Sequence, residues 1–93
     1  MAKINANGAR KLQGVRVDLP NDGNWMQRQR YVLRSDGKVL HAYQIATHYP
    51  GQSDYWGSLN YYVLGRVADP ASFDLVRFAT RKHPDALKVT ADF

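Results

Sequence analysis

From Val15 onward, apolar positions recur with a period of two. Val15, Val17 and Leu19 alternate with Arg16 and Asp18, the pattern of a half-buried strand. Pro20-Asn21-Asp22-Gly23-Asn24 breaks it as a turn. A second alternation runs from Trp25 to Arg34 and stops at Ser35-Asp36-Gly37. A third strand is expected from Val39 to about Thr47. Tyr49-Pro50-Gly51-Gln52-Ser53-Asp54 reads as a loop by its Pro-Gly step and polar residues. A fourth strand is expected over Ser58–Val67, with Leu59, Tyr61, Val63 and Val67 inward and Asn60, Tyr62, Leu64 and Arg66 outward.

The period then lengthens. Asp69-Pro70 has the form of an N-cap followed by proline at the first helical position. A helix from Pro70 to Lys82 aligns Ala71, Leu75, Phe78 and Ala79 on one stripe, and His83-Pro84 ends it. Leu87, Val89, Ala91 and Phe93 alternate as a last strand. Residues 1–13 are polar and mixed, and are expected to form a flexible arm or a single helical turn. The resulting order, β-β-β-β-α-β, is an α+β fold. One helix packs on the apolar face of a small, mostly antiparallel sheet, in a single domain over residues 1–93. A curled, barrel-like sheet is the alternative.

Turn length decides which residues share a face. A two-residue Asp36-Gly37 loop would set Arg34 opposite Val39. A three-residue Ser35-Asp36-Gly37 loop, with glycine at its left-handed position, sets Leu33 opposite Val39. Only the second keeps Tyr31, Leu33, Val39, Tyr43 and Ile45 together, and a one-residue slip would scatter them. The same reasoning at Asn21-Asp22-Gly23 sets Leu19 opposite Trp25 and Arg16 opposite Arg28. One face of the meander then carries Val15, Val17, Leu19, Trp25, Tyr31, Leu33, Val39, Tyr43 and Ile45. The other carries Arg16, Asp18, Met26, Arg28, Arg30, Val32, Arg34, Lys38, Leu40 and Gln44.

Composition sharpens this picture. All eight acidic residues are Asp, which prefers turns and caps, and Glu is absent. The net charge is +5, and residues 1–38 hold the whole surplus, with eight Lys/Arg against three Asp. From Val39 to Gly65 there is no Lys or Arg, but there are Tyr43, Tyr49, Tyr55, Trp56, Tyr61 and Tyr62. Cysteine is absent, which excludes a disulfide framework, a thiolate metal site and a cysteine nucleophile. No apolar run approaches the ~18 residues of a membrane helix. The start Met-Ala-Lys-Ile-Asn has no signal-like hydrophobic stretch. The expectation is a cytoplasmic protein without membrane association or cofactor.

Two features are candidates for binding. Arg16, Arg28, Arg30, Arg34 and Lys38 form a basic comb on one sheet face, where alternate residues of a strand lie about 6.6 Å apart. Like charges opposed across strands destabilise a sheet, and a polyanion would relieve them. Five phosphate contacts would give a log–log salt slope of about −4 to −5 on duplex DNA. The competing reading is a solvated face whose long arginines lie flat and discourage aggregation. The second feature is the aromatic segment with His48, Tyr49, Tyr55 and Trp56, extended by the outward Tyr62. It offers stacking platforms or protein anchors, unless it folds back onto the sheet.

Three scattered histidines make a metal site a poor fit, and no phosphate-cradling glycine motif is present. The leading expectation is therefore a small nucleic-acid-binding module, DNA or RNA. The alternative is a protein-binding inhibitor or adaptor of phage or mobile-element type, directed at an acidic host surface. A metal-free ribonuclease-like toxin using His48, Asp54, Tyr55 and Arg66 is third; the chain is otherwise not expected to be an enzyme. Open strand edges and the Tyr62/Leu64 pair make a homodimer a further possibility.

Overall fold

The computed structural model describes residues 10–47, 56, 57 and 59–91. Strands β1 (Lys11–Asp22), β2 (Trp25–Arg34), β3 (Lys38–Thr47), β4 (Tyr62–Arg66) and β5 (Lys88–Ala91) form one sheet in the order β4-β3-β2-β1-β5. Every neighbouring pair is antiparallel. Helix α1 (Leu75–Lys82) packs on one face, and the sheet stays open rather than closing into a barrel. The α+β expectation holds.

The second turn follows its chemistry. Leu33 pairs with Val39, and Gly37 takes a φ of 88°. A side chain there is excluded twice, because a Cβ would also run into the Val67 carbonyl oxygen. Asp36 fixes the same turn, accepting from the Lys38 amide at 3.1 Å and pairing with Arg34 Nη2 at 2.9 Å.

The first turn differs from expectation. Leu19 lies opposite Gln27 and Arg16 opposite Arg30, two residues further along than predicted. β1 runs on through Pro20 to Asp22 with an irregularity between Leu19 and Asp22, and Gly23, at φ 62°, opens a two-residue loop. A shift of two preserves parity, so the predicted faces survive the wrong register. β1 also starts earlier than expected. Lys11–Gln13, assigned to a flexible arm, are strand, and Arg10 and Ser35 tie the chain to the second turn by bonds of 2.7 and 3.0 Å.

The helix starts later than predicted. Pro70–Ser72 form a 3-10 turn, Phe73 is extended, and Asp74 rather than Asp69 is the N-cap, its side chain accepting from the Arg77 amide. Gln13 completes that terminus. Its amide donates to the Phe73 carbonyl and its oxygen accepts from the Leu75 amide at 3.0 Å. Leu75 and Ala79, one turn apart, are fully buried against Val15, Val17, Tyr31, Leu33 and Val39.

β4 is shorter than the predicted Ser58–Val67, and its faces are inverted at Tyr62 and Val63, while Arg66 lies outward and Val67 packs on the core as predicted. A bulge against Val39/Leu40 puts Tyr62 opposite His41 and Val63 opposite Leu40. The extra residue reverses the alternation, so Val63 does not point to the helix side. All five residues of β4 are exposed.

The second sheet face is also buried, contrary to the expectation of an outer surface. Val32, Leu40, Ala42 and Ala46 are each at most 4% exposed.

Candidate functional site

Strand and helix lengths set what the fold leaves open. Ten to twelve strand residues extend about 33–40 Å. An eight-residue helix is about 12 Å long and covers one end of that face. At the other end Trp25, Tyr43 and Ile45, predicted to lie in the buried layer, are 49%, 49% and 43% exposed. Tyr62, on the neighbouring strand β4, is 51% exposed. The result is a half-face of aromatic and aliphatic groups with no helix above it among the described residues.

Polar side chains hold that half-face in shape. Gln27 accepts from the Tyr43 hydroxyl at 3.1 Å and donates to the Pro20 carbonyl at 3.2 Å. Gln29 Oε1 accepts from His41 Nε2 at 2.6 Å, which places the His41 proton on Nε2. The His41 ring stacks on Tyr31 at 4.8 Å, and the Tyr31 hydroxyl lies 2.6 Å from His83 Nε2 at the end of α1. Burial, helped by the charge of His83 and the Lys82 ammonium, holds His41 below the ordinary histidine range. Burial also lowers His83, with Lys82 adding to it and Asp85 opposing it, and burial raises the Tyr31 hydroxyl. The cluster is a set of mutually satisfied groups whose burial disfavours the charged forms, and it links the helix end to the sheet.

The basic comb is gathered on one side, but its charges are answered from within. Asp18 lies opposite Arg28 on β2 and Lys88 on β5. Its carboxylate accepts from Arg28 Nε at 3.0 Å, and Arg16 Nε lies 3.3 Å from its other oxygen. The latter is close enough to pair electrostatically but angled outside a hydrogen bond. Arg30 donates to Gln44 at 3.1 Å, Arg34 pairs with Asp36, and Lys38 lies across from Arg66. The Arg28 and Arg34 side chains are only 17% and 11% exposed.

Trp56 belongs to this side. Its ring covers the Arg28 guanidinium at 4.0 Å, and the adjacent Gly57 carbonyl accepts from Gln44 at 3.1 Å. The chain returning from β3 to β4 thus folds back onto the arginine face at these two residues. His48, Tyr49 and Tyr55 lie outside the described residues. Tyr62 is exposed, but on the opposite, helix-bearing side from Trp56. Trp56 and Tyr62 therefore do not form one patch.

Sequence reasoning missed the open half-face, because Trp25, Tyr43 and Ile45 follow the buried alternation faithfully. The signal that could have found it was arithmetic: even a thirteen-residue helix rises only about 20 Å, far less than the strands beneath it. Among the described residues no group of three or more His, Cys, Asp or Glu converges as metal ligands, and no helix is long and apolar enough to cross a membrane. Comparison with family models, curated proteins and solved structures returns no match for this chain.

Proposed function

We propose that this protein is a small protein-binding module whose contact surface is the open half-face of the sheet. One observation carries the reading: Trp25, Tyr43, Ile45 and Tyr62 stand exposed on rigid strands beyond the reach of α1. Large aromatic side chains dominate the energetics of protein interfaces, and contiguous exposed apolar surface on a soluble chain marks an interaction site. The Gln27 and Gln29 hydrogen bonds hold Tyr43 and His41 in place, which limits the side-chain entropy lost on association. The surplus of positive charge favours an acidic partner and speeds the encounter.

The test is affinity capture from nuclease-treated lysate, with the parent chain and a Trp25→Ser/Tyr43→Ser variant. Both positions are about half exposed, so the variant is expected to keep the fold. A partner retained by the parent and lost by the variant supports the reading, and one retained equally by both refutes it.

Nucleic-acid binding is kept as a second reading on one observation: Arg16, Arg28 and Arg30 do lie on a single face. Its difficulty is physical, because a phosphate must compete with Asp18 and Asp36 for guanidinium groups already paired. Under this reading, oligonucleotide affinity falls steeply between about 50 and 200 mM salt and drops further in an Arg16→Ser/Arg30→Ser variant. Flat salt dependence removes it.

A further inference from the structure

On α1 the stripe next to the buried Leu75 and Ala79 is Phe78 and Lys82, which turns toward β4. Phe73 and Phe78 pack at 5.7 Å and form the floor of two adjoining concavities of about 650 and 350 Å3. Both are lined by Phe73, Phe78 and Lys82, so they make one groove running along the helix and under the edge strand. Leu64, 44% exposed, is its apolar wall on β4.

The rim is cationic. Arg77, Arg81 and Lys82 line it from the helix. Among the described residues the one carboxylate in the lining, Asp74, is already engaged in capping the Arg77 amide. Arg77 and Arg81 are one turn apart, about 6 Å along the axis. Carboxylates recur at about that interval on a helix at i and i+4, and at about 6.8 Å on alternate residues of an extended strand. An acidic segment of a protein therefore matches the rim, and a bulky apolar side chain matches the floor.

Stacked bases match it less well, because the Phe78 ring is engaged on several sides. Lys82 Nζ lies 5.6 Å over it, Tyr31 meets it edge-to-face, and Phe73 is tilted against it. A nucleobase needs an open ring face, whereas an aliphatic or aromatic anchor needs only a gap between rings.

We propose that the groove between α1 and β4 binds an acidic peptide segment of a protein partner, seating one large apolar side chain over Phe73 and Phe78 and pairing its carboxylates with Arg77, Arg81 and Lys82. The site is separate from the open half-face around Trp25 and Tyr43. The two proposals therefore stand or fall independently.

The test uses the full chain and three fluorescent probes. One is a ten-residue peptide of Asp and Glu with a central Leu-Phe pair, the second has Ser-Ser in its place, and the third is oligothymidine. Saturable anisotropy binding of the first is expected, roughly tenfold weaker for the second. Binding of the first falls roughly tenfold or more in an Arg77→Ser/Arg81→Ser variant, whose substitutions are exposed and leave the cap intact. It is unchanged in Trp25→Ser/Tyr43→Ser. Leu64→Ser, exposed on the edge strand, weakens the anchored peptide and leaves the Ser-Ser peptide unaffected. Equal binding of both peptides, no saturable binding of the first, or indifference to the Arg77/Arg81 change overturns the proposal. So does oligothymidine binding in preference to the peptide and lost in the same arginine variant, which would make the groove a phosphate site.

Discussion

Replacing Asp18 by asparagine asks whether the arginine row is held internally or awaits a ligand. The new side chain is nearly isosteric and keeps an oxygen for Arg28 Nε, so the change removes charge rather than shape. What remains is Arg16 and Arg28 converging on a neutral amide, with Lys88 opposite on β5. The two Asp18 pairs are neither fully exposed nor fully buried: Asp18 is 25% exposed, Arg28 17% and Arg16 33%. Exposed ion pairs contribute about 0–1 kcal/mol, and hydrogen bonds to charged groups about 1.5–3 kcal/mol. Part of the hydrogen bond survives in the variant, so the expected loss is about 1–2 kcal/mol. In a domain of this size each kcal/mol moves the melting midpoint by roughly 4–8 °C, so a drop of roughly 5–15 °C is expected. Thermal and urea denaturation should be followed at about 50 and 500 mM salt. The Debye length shortens from about 14 to about 4 Å over that range, and the deficit should shrink with it. A variant as stable as the parent at low salt, or more stable, refutes the reasoning. It would mean the guanidinium groups do not depend on Asp18, and the phosphate-binding reading would regain its footing.

Gly37→Ala should cost about 2–4 kcal/mol, combining a positive φ with a Cβ pressed on the Val67 carbonyl; an unchanged denaturation midpoint would contradict the turn geometry. Gln13→Ala should cost about 1–3 kcal/mol, because it strips partners from the Phe73 carbonyl and the Leu75 amide. Hydrogen exchange should then show opening at the start of α1 first, and uniform loosening would count against the clamp. His41 and His83 are both lowered on folding, so the unfolded chain binds more protons and stability rises with pH up to about 6.5. The melting midpoint should therefore fall between about pH 7.5 and pH 5.5, less so in His41→Gln; an equal or higher midpoint at the lower pH refutes the assignment.

The meander was readable because period-two patterning and turn glycines agree locally, as at Ser35-Asp36-Gly37. Even the misplaced first hairpin kept its faces, since an error of two residues leaves parity intact. β4 was not readable in the same way. Its bulge is set by pairing with β3, and the one local sign of it, Gly65 beside the extra residue Leu64, does not say that the alternation reverses there. The helix start was misplaced because two Asp residues, Asp69 and Asp74, both qualify as caps, and Gln13, distant in sequence, supports the second. The candidate site was the least legible part. Alternation says which way Trp25 and Tyr43 point, but not whether anything lies above them. Parity placed Asp18 on the arginine face, but charge counting did not show that it pairs with Arg28 and Arg16.

Hydroxyl-radical footprinting reads side-chain exposure one residue at a time, and so bears on the open half-face without an assumed partner. Trp25, Tyr43 and Tyr62 should react readily in the isolated protein at low concentration, while Tyr31 is protected and Trp56, partly covered by Arg28, reacts less. In the captured complex the first three should become protected. Protection of Trp25 and Tyr43 in the isolated chain, or their continued reactivity in a complex that instead shields the arginine face, would contradict a protein-binding half-face.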